Sequence, residues 1–236
     1  MTEQLSIGPM AVDVVRKDIK HMHLAVYPPT GRVRLAVPLR VSEETMRLFV
    51  IDKLGWIKRH QRNFKAQDRL PPRECLARES HYYQGRRYLL RLQPTTGPGY
   101  VKINGPTYLD LYARPGSSPA YLAKVLDDWY RATLREQLPA LLEKWEARLD
   151  VKATFVGIRR MKTKWGSCNP DTGRVWLNLE LAKQPPVCLE YIVVHELVHL
   201  LERRHSDRFR ALLTYHLPQW EQAKRALGDL PVAGEW

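Results

Sequence analysis

The stretch Tyr191-Ile192-Val193-Val194-His195-Glu196-Leu197-Val198-His199-Leu200-Leu201 decides how this chain is read. His195 and His199 are four residues apart, so on a helix both imidazoles leave one face and can converge on one metal ion. Glu196 follows the first histidine and lies beside that face. There it can take a proton from a water without being a ligand itself. The flanking residues are apolar on nearly every side, which predicts a buried helix. Burying two histidines and a glutamate is costly unless they are paired or hold a metal. The plainer alternative is a pair of core histidines hydrogen-bonded to protein groups.

Two nitrogens do not complete a catalytic zinc site, which usually has three protein ligands and one open position. His205 is the preferred third ligand and Glu202 its competitor. On an unbroken helix His205, six residues past His199, would face away from the pair. It reaches the ion only if the helix ends near Glu202 and the chain turns back. Ser206 supplies that signal, as a good N-cap for a new helix through Phe209, Leu212 and Leu213. With a continuous helix, Glu202, three residues past His199, would take the place instead.

Upstream, Gln184-Pro185-Pro186 is a clean start for the histidine helix. Short β-rich runs precede it near Thr154–Arg160, Lys164–Cys168 and Arg174–Leu179. Before them, Ser118 caps and Pro119 begins a long helix to about Leu149. Arg114-Pro115-Gly116-Ser117-Ser118-Pro119 is the strongest boundary signal, so the expected division is 1–117 and 118–236. The first portion reads as strands at Val12–Arg16, His21–Tyr27 and Arg32–Val37. A helix then runs from Ser42 to about Phe64, with Met46, Phe49, Val50, Leu54 and Ile57 on one face. Two hairpins follow, turning at Gln84-Gly85 and Asn104-Gly105. No internal repeat appears. The fold class is therefore α+β, a β-rich N-terminal portion followed by a helical C-terminal portion with a small sheet.

Composition excludes several classes. Of 236 residues 44% are hydrophobic and 27% charged, ordinary for a globular chain. No apolar run approaches the roughly 20 residues that a membrane-spanning helix needs, and the first ten residues lack the pattern of a secretory signal. The three cysteines, Cys75, Cys168 and Cys188, are far apart and form no CxxC pair. A disulfide scaffold or cysteine-built zinc site is not expected, and a reducing cytoplasm is the expected location. The formal charge is +13, and it is uneven: residues 1–117 carry 20 basic and 10 acidic side chains, the remainder 18 and 15. A basic N-terminal portion suits an anionic partner, a nucleic acid or a protein bound to one, or serves solubility alone.

Several elements together resemble the YgjP-like metal-dependent hydrolases, relatives of the SprT and WLM zinc metallopeptidases. They are Met161-Lys162-Thr163-Lys164-Trp165-Gly166-Ser167-Cys168, Val175–Leu179 with Asn178, the His195–His199 stretch, and His205-Ser206 before Phe209. The resemblance extends upstream to Gly31-Arg32-Val33, Val37-Pro38 and Trp56-Ile57, and so covers most of the chain. It implies a zincin-like C-terminal portion, with His195, His199 and His205 as metal ligands and Glu196 as the catalytic glutamate. The implied cofactor is zinc, although imidazole sites also take nickel and cobalt. The implied activity is peptide-bond hydrolysis.

Two other functions are expectations of lower rank. One is metal-dependent hydrolysis of a nucleotide phosphoanhydride, motivated by the basic portion but lacking a phosphate-cradling glycine loop. The other is a nucleic-acid-binding module with a structural metal site, for which four protein ligands would be usual. Gly166 is read as relieving the packing of Trp165 or as admitting a peptide backbone, and Cys168 as a small apolar residue. His21, His23, His60, His81 and His216 have no ligand spacing. The tyrosines Tyr82, Tyr83, Tyr88, Tyr100 and Tyr108 read as hairpin packing, with a base-stacking platform as the rarer option.

Overall fold

Four strands open the chain: β1 (Glu3–Ile7), β2 (Met10–Lys17), β3 (His23–Tyr27) and β4 (Arg32–Pro38). They are taken from a computed structural model, which describes residues 3–27, 30–66, 79–161 and 164–229. Cys75, Lys162 and Thr163 lie outside the described residues. The strands order as β1-β2-β4-β3, with β2 and β4 parallel and the outer pairs antiparallel. Alternation puts Val12, Val14, Val33, Leu35 and Val37 on one face. There they form a core with Met46 and Val50 of α1 (Glu43–Asp52) and Ile57 of α2 (Leu54–Ala66). Ser42 caps α1 by accepting from the Thr45 amide. The single helix expected from Ser42 to Phe64 is thus two helices, parted at Lys53, whose amide bonds back to Val50.

The chain next repeats this plan with other residues. Strands β5 (Ser80–Tyr83), β6 (Arg86–Pro94), β7 (Tyr100–Asn104) and β8 (Tyr108–Ala113) order as β5-β6-β8-β7. Again the middle pair is parallel and the outer pairs are antiparallel. A capped helix follows again: α3 (Pro119–Leu149), with Ser118 accepting from the Tyr121 amide. The two capping serines, Ser42 and Ser118, are 76 positions apart. Buried residues recur at the same spacing, Leu35 with Leu111 and Val50 with Leu126. Most other equivalents differ in type, as Val33 with Leu109, Val37 with Ala113 and Met46 with Leu122, so comparing residues along the sequence does not reveal the repeat.

The remaining elements are β9 (Phe155–Arg159), β10 (Gly166–Asn169), β11 (Arg174–Asn178), a 3-10 turn at Leu179–Lys183, α4 (Pro186–Val198), α5 (Asp207–His216) and α6 (Trp220–Asp229). The third sheet orders β10-β11-β9, which leaves β10 at an edge. Among the described residues no helix is long and apolar enough to cross a membrane.

The described residues fall into two compact units, one before residue 67 and one after residue 78. Arg114–Ser117 forms a turn within the larger unit, closed by the Ser117 amide donating to the Arg114 carbonyl. One core joins Leu90, Leu109 and Leu111 of the second sheet to Leu126 of α3 and to Val194 and Leu197 of α4. Hydrogen bonds explain why these parts are inseparable. At the β5–β6 hairpin, Gln84 and Gly85 both have positive φ, and their amides donate to the carbonyls of Ala182 and Lys183, at 3.0 Å each. A Cβ on Gly85 would lie 2.9 Å from Pro185 Cγ. The hairpin tip therefore rests on the chain entering the histidine helix, a long-range contact with no local sequence signal. The architecture is mixed α+β, as expected.

Candidate metal centre

Helix α4 begins with Pro186 in its first turn and buries nearly every side chain, including Ile192, Val193, Val194 and Leu197. This all-round burial fixes the rotation of the helix and therefore the direction of His195 and His199. The helix stops where the second histidine begins. His199 caps it, and the next amides bond back in tight turns, Leu200 to Leu197 and Leu201 to Val198. Ser206 then caps α5 by accepting from the Phe209 amide. The reversal required for His205 is present.

The structure brings the three histidines together. Each offers one ring nitrogen, and the three lie within 4.8 Å of one another. The Nε2 atoms of His195 and His205 are 3.0 Å apart. His199 donates its Nδ1–H to the Glu202 carbonyl at 3.1 Å, which orients its ring and leaves Nε2 as the free nitrogen. Phe209 lies against all three rings, at centroid separations of 4.9, 4.7 and 4.8 Å. Glu202 does not join them; its carboxylate accepts from the Arg204 amide.

Glu196 is 4% exposed, and its Oε2 has no hydrogen-bond partner among the described residues. Burial pushes its carboxyl up to about 8, opposed by the ammonium of Lys164. Burial likewise lowers His195 to about 3, reinforced by His199 and His205. Neutral imidazoles beside a buried, partnerless carboxyl suit a divalent cation, which needs unprotonated nitrogen and would favour the ionised form of that carboxyl. The donor set therefore fits zinc, and nickel or cobalt equally by chemistry.

Gly166 of β10 is where spacing alone gives the wrong reason for a residue. A Cβ there would stand 2.5 Å from Glu196 Oε1, so the glycine makes room for the carboxylate rather than for Trp165. Asn178 braces the approach to β10. Its Nδ2 donates to the carbonyls of Met161 and Lys164, and its Oδ1 accepts from the Met161 amide. Tyr191, one turn before His195, stands edge-on to its ring at 5.7 Å. Neither role is signalled by type or spacing. Cys168 is a free thiol outside the histidine group, raised to about 11 by burial and by Glu196, which keeps it protonated and unreactive. His81 is fully buried against Glu79, in keeping with a structural histidine.

A family model described as YgjP-like, metallopeptidase domain, matches residues 20–229. No curated protein matches the chain.

Proposed function

We propose, from the premise that the chain belongs to the YgjP-like metallopeptidase family, that it hydrolyses peptide bonds with a zinc ion held by His195, His199 and His205. The observation that carries this is the convergence of three ring nitrogens beside a buried, partnerless carboxylate. When bound, the ion supplies a Lewis acid that lowers the pKa of water toward about 7 and polarises the scissile carbonyl. Glu196 accepts the proton of the attacking water and returns it to the leaving nitrogen. Burial raises this carboxyl in the metal-free chain, and a cation bound beside it would favour the ionised form that accepts the proton. Phe209 and the Glu202 carbonyl hold the imidazoles in place. The edge strand β10 offers its backbone to an extended peptide, which would pair as an added strand beside Glu196. A zincin-like arrangement of α4 beneath this sheet, and a cytoplasmic location, belong to the same reading.

The test measures bound metal and hydrolysis together. His195→Ala, His199→Ala and His205→Ala should each lose zinc and the ability to degrade an unstructured protein such as casein, whereas Glu202→Ala should retain both. A nucleoside triphosphate in a parallel incubation should remain intact. Full zinc content in His205→Ala, or consumption of the nucleotide in place of casein, would contradict the assignment.

A further inference from the structure

The second sheet has two faces, and only one is absorbed by the core. Leu90, Leu109, Leu111 and Val101 point into it. Alternation places Tyr108, Asp110 and Tyr112 of β8 on the opposite face. Register adds neighbours on that same side: Arg91 beside Asp110 from β6, and Lys102 and Tyr100 beside Asp110 and Tyr112 from β7. Tyr82 and Arg87 pair at the β5–β6 end. The sequence left these tyrosines as one set, and the register divides them. Tyr88 is core, while Tyr100 and Tyr108 are 41% and 37% exposed.

The groups on this face are arranged for planar, anionic ligands. Tyr100 and Tyr112 stack at 4.4 Å with planes 9° apart. The Arg91 guanidinium lies 4.1 Å over the Tyr108 ring, and Lys102 stands 5.4 Å over Tyr100. Among the described residues Asp110 is the one acid on this face. It is buried, bonded by Arg91 at 2.6 and 2.8 Å and by Asn104 at 2.8 Å, so its charge is spent within the protein. Arg87 and Lys102 make no ion pair among the described residues. The result is a central guanidinium held flat, rings on either side of it along β8, and unpaired cations at the margins. An apolar protein partner would bury Lys102 and Arg87 at a cost. A ligand with π-faces and a phosphate backbone matches both kinds of group.

We propose that this open sheet face binds single-stranded nucleic acid, with bases stacking on Tyr100, Tyr108 and the Arg91 plane and phosphates lying along Lys102 and Arg87. A duplex has its bases already stacked and offers this face only phosphates.

Fluorescence anisotropy of the full chain with labelled oligodeoxythymidine and oligouridine, each of about 15 nucleotides, and with a duplex of equal length, tests the proposal. Single strands should bind more tightly than the duplex, and comparison of the two strands reports the sugar preference. Tyr100→Ala and Tyr108→Ala should each weaken single-strand binding by at least about fivefold, the effect of losing one stacked base. Tyr100→Phe and Tyr108→Phe keep the ring and should bind like wild type. Lys102→Ala should flatten the salt dependence. Melting curves matching wild type establish that the variants are folded. The proposal is overturned if neither strand binds at micromolar protein, if the duplex binds equally well with both Ala variants unaffected, or if polyglutamate displaces the strands as well as unlabelled oligonucleotide does.

Discussion

The first and second sheets share strand order, strand polarity and a capped helix 76 positions apart, yet only the second is tied to the metal centre. In the first, β1-β2-β4-β3 packs on α1 and α2 and closes its own core around Leu35, Met46 and Val50. In the second, α3 runs 31 residues, and the core continues from Leu111 through Leu126 to Leu197. The outer faces differ as well. Where the second sheet presents Tyr108, Tyr112 and Arg91, the first presents Arg32, Ala36 and Asp13. A topology fixed by where apolar residues recur therefore leaves the other face and the end of the helix free to acquire a site.

That contrast yields three predictions of decreasing size. Leu35→Ala and Leu111→Ala remove equivalent, fully buried side chains, and each should cost about 2–5 kcal/mol by denaturant unfolding. Zinc should tell the two positions apart. Hydrogen exchange should show zinc protecting the amides of α4 and β8 while leaving those of β2 and β4 unchanged. Equal protection of both sheets would erase the distinction.

The second prediction concerns pH, since the large perturbations gather in the second unit. In metal-free protein the Glu196 carboxyl is raised from 4.5 to about 8. The folded chain thus keeps a proton that the unfolded chain gives up. This stabilising contribution is complete below pH 4.5 and is lost as pH rises through 8. Glu196→Gln should become progressively more stable than wild type across that interval, by a few kcal/mol in thermal melts. His195 works in the opposite sense: lowered from 6.5 to about 3, it contributes stability above pH 6.5 that is lost as pH falls toward 3. A pH-independent difference between wild type and Glu196→Gln would show that the carboxyl is not desolvated.

The smallest effects should be equal in the two halves. Ser42 and Ser118 each accept a 3.3 Å bond from the amide three residues on. Ser42→Ala and Ser118→Ala should each cost about 1 kcal/mol, seen as matching shifts in unfolding midpoint. Unequal costs would mean that the two helix starts are not equivalent.

Much of the site was legible in the sequence because its signals are local. His195, Glu196 and His199 follow helical spacing, Ser206 marks the reversal that presents His205, and Ser118-Pro119 starts α3 where it is found. The unread parts depend on pairing between distant segments. Parallel pairing of β2 with β4 and of β6 with β8 leaves no mark in either strand alone. β1 is too short to carry a period, and Arg114–Pro119 punctuates like a linker although the hairpin at Gln84-Gly85 reaches past it to Pro185. Gly166 is explained only by Glu196, 30 positions later and next to it in space.

The central claim is that Glu196 moves protons beside an ion held by three histidines, and one comparison tests it most directly. Zinc-loaded wild type and Glu196→Gln are assayed on an unstructured protein, with bound metal measured in the same samples. The account predicts equal zinc and a loss of turnover of about 100-fold or more, within the usual scale of general acid–base catalysis. Wild-type turnover by Glu196→Gln with zinc in place would contradict it.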